Sequence, residues 1–541
     1  MQALETRLAI AFVAFVCVAA CREVPVAAVA PVETPSAFLS AERCALCHSR
    51  SPEASALTTL SGDDVSPHGT WRATAMANAS RDPYWRAQVA RECELAPDAA
   101  ASIETFCARC HAPTAVHDAV LFERDVPRLA TLALDPLADE GVTCTVCHQA
   151  QPDGLGTEET FDGRLPIRDE GRIFGPFANP AIGPMRMHTG YTPTEGAHIR
   201  RSALCGSCHT LRTAHAPNAS PFIEQSPYLE WRNSEFSDED GARDTSRSCQ
   251  DCHMPEAGSM RIARMPTGFD FNIAVREGVK SHAFVGANAF LLDLLRTHAQ
   301  RLGIDVPAAA FERAAAANRA ALAHETARAT IERVTRDAER LSFDVRVENL
   351  TGHKLPTGYP SRRMWLAVDV THRGERVFGS GLFDERGRLI GVADELALEH
   401  FDRIERADQA QVYESIAVDG EGHVTTALSR MARRSKDSRL LPRGWTADGP
   451  HAAETSPAGV EGDDDFRAGE DTVTYSLALP ESARGELRIV VNLVYQPIPP
   501  AWVDGLRATD APEVATFLEL YDGADPTPET LAVAVEFAPA L

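Results

Sequence analysis

Two cysteines and a histidine recur in a fixed pentapeptide five times between positions 44 and 253 of this 541-residue chain. The copies are Cys44-Ala-Leu-Cys47-His48, Cys107-Ala-Arg-Cys110-His111, Cys144-Thr-Val-Cys147-His148, Cys205-Gly-Ser-Cys208-His209 and Cys249-Gln-Asp-Cys252-His253. With 13 cysteines and 18 histidines in the chain, independent placement would give about 0.01 copies, so the repetition is chemical. Thiols three residues apart can each add to one vinyl group of the same haem, and the adjacent histidine then lies under the macrocycle as proximal iron ligand. A zinc knuckle does not require that trailing histidine. The motifs predict five covalent haem c groups. Cys44, Cys47, Cys107, Cys110, Cys144, Cys147, Cys205, Cys208, Cys249 and Cys252 attach them, and His48, His111, His148, His209 and His253 ligate the irons.

Each iron needs a sixth ligand or keeps an open face, so every other histidine is a candidate. Within the haem region these are His68, just before Gly69-Thr-Trp-Arg72, His188 and His198 around Thr189-Gly-Tyr-Thr-Pro193, and His282 in Ser281-His-Ala-Phe284. His117 and His215 follow proximal ligands closely and read as solvated turn residues. Met76, Met185 and Met187 are weaker axial candidates, and Met254 is too near His253 to reach the opposite face of that haem. Four histidines leave one iron short. His353 supplies a fifth, on Thr351-Gly-His-Lys-Leu-Pro-Thr-Gly358, where Gly352, Pro356 and Gly358 fix a compact turn that presents an imidazole at little entropic cost.

The elements that must position these groups follow from the spacing. Residues 41–288 give about 50 residues per haem, too few to wrap each cofactor separately, so short helices and ordered loops should pack around porphyrins that form much of the core. Residues 289–335 read as a helical bridge: Phe290, Leu291, Leu294 and Leu295 form one stripe, and Pro307 opens an alanine-rich helix carrying Phe311, Leu322 and Ile331. From 336 to 541 the period becomes two, as in Phe343, Val345 and Val347, with similar runs at Met364–Val370, Val473–Leu479 and Leu487–Tyr495. This pattern predicts an antiparallel β-sandwich. The acidic loop Glu461-Gly-Asp-Asp-Asp465 reads as solvated, its carboxylates being irregularly spaced for calcium. The fold class is thus multidomain: a multihaem cytochrome region, a bridge and a sandwich.

The run Gly141-Val-Thr-Cys-Thr-Val-Cys-His-Gln149, the stretch from Cys249 to Pro255 and the His282 motif resemble the cytochrome c-552/4 group of multihaem cytochromes over residues 40 to 290. That group includes the tetrahaem cytochrome of ammonia oxidisers. The resemblance implies stacked and perpendicular haem pairs, mostly bis-histidine ligation and periplasmic electron transfer. Five motifs exceed the tetrahaem pattern, so haem order does not carry across. The His353 loop with Tyr359-Pro-Ser-Arg-Arg-Met-Trp365 is similar to the sandwich appended to some of these cytochromes.

The N-terminus reads as an export signal over residues 1–20, with Arg7 followed by an apolar run too short to span a membrane. Val18-Ala19-Ala20-Cys21 resembles a bacterial lipobox, which implies lipid on Cys21 and a Pro- and Ala-rich tether over 21–40; an ordinary signal peptide is the alternative. Arg22 differs from the residue of an inner-membrane retention signal, so the expected location is periplasmic, anchored to the outer membrane. A formal charge of −24 argues against nucleic acid and towards redox protein partners. Cys93, the one remaining cysteine outside leader and motifs, reads as a structural thiol. The favoured function is electron carriage. The alternative is a reductase or oxidoreductase of nitrogen or sulfur oxyanions with one open haem; no Cys-x-x-Cys-Lys motif occurs to favour it. On the lipobox reading, Cys21→Ser releases the protein from membrane fractions into the soluble periplasm; a wild type that is already soluble leaves only the signal peptide.

Overall fold

Alternating apolar residues build two facing sheets in the C-terminal half. Leu341, Phe343, Val345 and Val347 point inward from strand Arg340–Asn349 and are fully buried. That strand pairs with Glu470–Ala478 on one side and Ala327–Arg336 on the other, and Arg403–Ile404 adds a short parallel edge beyond Glu470–Ala478. The second sheet runs Glu375–Ser380, Arg363–His372, Leu487–Gln496, Glu529–Ala538, with Val412–Tyr413 also paired to Arg363–His372. Its inward residues, Met364, Leu366, Val368 and Val370 with Leu487, Ile489, Val491 and Leu493, meet those of the first sheet in one apolar core. Each such side chain contributes about 1.5–3 kcal/mol on burial, and the layering is that of a β-sandwich.

The computed structural model describes residues 35–214 and 220–540. The expected export signal, Cys21, most of the tether and His215 lie outside the described residues. From Ser36 onward the chain makes one compact unit. Helices Ala289–Thr297 and Ala308–Glu325 occupy most of the expected bridge, but its last part is not helical. Ile331 lies in strand Ala327–Arg336, opposite Val345. Alanine-rich sequence favours helix locally, yet Ala327 and Ala329 are buried on one face of a paired strand, and sheet pairing overrides the propensity.

The region around the five motifs is made of short helices and two-stranded sheets. The longest helix there, Pro83–Leu95, has 13 residues. Several helices start at Ser-Pro or Asp-Pro, with the proline in the first turn: Ser66 and Asp82 also accept backbone N–H groups there. Four motifs lie wholly within helices, namely Ala41–His48, Ala100–His111, Cys144–Gln149 and Cys249–His253. In the fourth, helix Ser202–Gly206 carries Cys205 and the turn continues through the His209 N–H to Cys205 C=O bond of 3.0 Å. Helical spacing puts both sulfurs of a motif on one face.

A buried ionic network joins this region to the sandwich. Lys354 is fully buried and donates through Nζ to Asp437 Oδ2 at 2.7 Å. Arg439 donates to both Asp437 oxygens, at 2.7 and 2.8 Å, and to Glu230 Oε1 at 3.2 Å. Glu230, on helix Pro227–Arg232, accepts the Lys354 backbone N–H at 3.0 Å. Burial opposes ionisation of Asp437, but Arg439 and Lys354 outweigh it and hold its carboxyl well below the usual range. Removing one member leaves an uncompensated charge, which costs about 3–5 kcal/mol. Asp437→Asn should therefore lower unfolding free energy by about that amount in urea titration, whereas Asp337→Asn at an exposed turn should leave the transition nearly unchanged.

Candidate functional site

All ten motif cysteines and all five motif histidines line one continuous cavity of about 1900 Å³. Single-ligand pockets span roughly 300–1,000 Å³, so this space suits several large groups. The motifs also touch one another. Side-chain contacts link Cys44 with Cys144, Cys110 with Cys208, and Cys205 with Cys249. No two of the described cysteines are joined as a disulfide.

The imidazoles carry a shared hydrogen-bond signature. Nδ1 of His48 bonds the Ile262 carbonyl at 2.9 Å, His111 that of Ala79 at 3.2 Å, His148 that of Phe174 at 2.6 Å, and His253 that of Val285 at 2.6 Å. A carbonyl accepts, so Nδ1 bears the proton and Nε2 keeps its lone pair for a metal. The rings expose part of their surface to the cavity while protein encloses them. That enclosure pushes His111 and His209 down to about 4 and also lowers His48 and His148. Neutral imidazole, the ligating form, is thereby favoured.

Two further histidines face motif histidines across the cavity. The rings of His148 and His282 have centroids 6.2 Å apart and planes 25° apart; those of His253 and His353 are 6.3 Å and 17° apart. Metal–nitrogen bonds of about 2 Å place two imidazoles on opposite sides of one metal with centroids roughly 6 Å apart. His353 uses Nδ1 on the Lys354 carbonyl at 2.9 Å, again leaving Nε2 free. Its loop comes close to the haem-motif region: a Cβ on Gly352 would lie 3.2 Å from Trp231, and Gly358 has φ +86°. Enclosure pushes His353 down to about 4 and His282 to about 3.

The remaining candidates divide. His68 and His188 line the cavity, His68 within 3.3 Å of Glu42 Oε1. His198, expected to present its ring to an iron, lies outside the cavity wall, and its Nε2 bonds the Ala150 carbonyl at 2.9 Å. That leaves only Nδ1, the reverse of the other rings. His117, expected on a solvated turn, instead lies in helix Pro113–Leu121 with its Nε2 buried and unpartnered. Sequence reading undervalued it because proximity to His111 suggested a turn. Met187 is 79% exposed, whereas Met76 and Met185 line the cavity.

A polar pocket beside the Cys107–His111 motif had no signal in the sequence. Trp85 stacks on His111 at 4.5 Å and 5°. Nearby on the same wall, Glu224 Oε2, both amide atoms of Gln88 and the Tyr359 hydroxyl are buried without partners. Burial and then Glu92 push the Glu224 carboxyl up to about 8. These orphaned groups need water or a polar ligand.

The donor set fits haem c: paired cysteines with an adjacent histidine at every motif, Nε2 left free on four of those rings by Nδ1–carbonyl bonds, and a common apolar cavity. Full maturation should add the mass of five haems to the polypeptide, and acid–acetone extraction should leave the colour with the protein. Three or fewer haems in the intact mass of fully matured protein would overturn this fit.

No protein-family model matches the chain, and no curated protein matches it. Among solved structures it is similar to the penta-heme cytochrome c552 from Thermochromatium tepidum, with a TM-score of 0.52 at 17% identity. The match covers 93% of this chain and 100% of that one. At such low identity the likeness is one of fold, and it extends across both the motif region and the sandwich.

Proposed function

We propose that the chain is an exported electron-transfer cytochrome carrying five covalent haem c groups, most of them held between two histidines. The observation that carries this reading is the pair of opposed imidazoles, His148 with His282 and His253 with His353, at the separation of two ligands on one metal. The fold shared with a penta-heme cytochrome supports it. Bound haem supplies reversible one-electron iron chemistry. The chain's own residues do the rest. Backbone carbonyls fix four of the five proximal rings and their tautomers, the cysteine contacts between motifs keep neighbouring attachment points close, and the Glu230–Lys354–Asp437–Arg439 network fixes His353. His68 and His188 are available to other irons, and His117 adds a further candidate. The expected partners are redox proteins of the periplasm or outer membrane, with attachment to the membrane through lipid on Cys21.

One observation favours a second reading, an oxidoreductase acting on small nitrogen or sulfur oxyanions. Among the described residues no second imidazole is in ring contact with His48, His111 or His209, and beside His111 the groups Glu224, Gln88 and Tyr359 offer unpartnered polar atoms. A carboxyl pushed up to about 8 is protonated at neutral pH and could donate that proton to an anion.

Electron paramagnetic resonance of the oxidised protein separates these readings. His282→Ala and His353→Ala should each convert one low-spin haem to high-spin, with His353→Ala also loosening the sandwich contact to proteolysis. An unchanged low-spin spectrum in both variants defeats the ligand assignment. A high-spin signal already present in wild type, altered by nitrite and by Glu224→Gln, would favour the second reading.

A further inference from the structure

Arg362 is a cation on the cavity wall with no carboxylate to meet it. It stands on the sandwich half, just before strand Arg363–His372, and its side chain lines the cavity shared by the five motifs. Nη1 donates to the Thr357 carbonyl at 2.9 Å. Gly358 permits that approach: it takes φ +86°, and a Cβ there would lie 2.9 Å from Nη1. Among the described residues Nε and Nη2 make no hydrogen bond, and the guanidinium makes no ion pair. Other basic side chains of this half are matched, Lys354 and Arg439 by Asp437 and Arg363 by Glu395. Glu230 reaches the same turn through Thr357, but Arg439 and the Lys354 N–H already engage it.

The fourth and fifth motifs meet beside this arginine. His209 and His353 are both depressed first by burial and then by His253, and the Arg362 charge adds to the effect on each. His353 faces His253, and Cys205 contacts Cys249. A half-buried guanidinium with free donors on an apolar cavity is a site for an anion. Its planar fork of N–H groups matches a carboxylate. Each haem brings two propionate carboxylates, and these need cations wherever the protein covers them.

Resting on the five-haem reading, we propose that Arg362 binds a propionate of the haem attached at Cys205 and Cys208, so that the sandwich half supplies this haem with a fixed positive charge. A cation held there favours the reduced haem, which carries one more electron. Spectroelectrochemical titration of the haem-loaded full chain tests this. Arg362→Met should move one step to lower potential by about tenfold in electron affinity, or about 59 mV for one electron. Arg362→Gln, which keeps a donor for the Thr357 carbonyl but loses the charge, should shift the same step. Arg362→Lys should recover most of the shift, and Arg406→Met, at an exposed pair with Asp408, should move nothing. Wild-type potentials should be equal in phosphate and in chloride at one ionic strength, because the anion belongs to the bound haem. Unchanged potentials in Arg362→Met and Arg362→Gln overturn the proposal. So does a wild-type step that moves with phosphate, which marks a site for a soluble anion. Three or fewer haems in the wild-type intact mass overturn the five-haem reading and this inference with it.

Discussion

A lysine ammonium cannot sit in a protein interior without a counter-charge, and Lys354 has none of its surface in water. Its partners decide the architecture. Asp437, in the sandwich half, takes the ammonium, while Glu230, on a helix of the motif region, accepts the Lys354 backbone N–H. Arg439 bridges the same two acids and completes the balance. The residue before Lys354 is His353, so the constraint that settles the charge also sets where that imidazole points. Ion pairs of this kind give little net stability over an apolar substitute. Here the gain is positional: a ring fixed opposite His253.

The same logic of fixed donors runs through the site. Four of the five proximal rings, those of His48, His111, His148 and His253, are oriented by a backbone carbonyl rather than by a side chain. Backbone carbonyls cannot swing away or change charge, so the orientation is insensitive to pH and to neighbouring substitutions. It depends on local loops such as Ile262 and Val285, far in sequence from the helices they serve.

Much of this was legible in the sequence, and what was not has identifiable causes. The motifs are contiguous, so spacing alone placed ten cysteines and five histidines on the cavity wall. The strands around Phe343, Met364, Val473 and Leu487 announced themselves by alternation that matches their pairing. Ile331 did not, because alanine-rich sequence on either side of Thr326 reads as one helix, and only the partner strand reveals the change. His198 looked as good a ligand as His282, since residue type carries no information on which ring nitrogen meets a carbonyl. Glu224 and Gln88 carried no motif at all.

The cavity has a consequence for biogenesis. Its walls are the inner surfaces of short helices whose own apolar clusters are small and separate, so on the proposed function haem fills the space between them. Such a region gains its stability as groups are attached, in the manner of metal-dependent folding. Synthesis delivers His48 first and His353 some three hundred residues later. On the proposed function, the sandwich half closes over the motif region last, and a chain without its haems keeps an open shell.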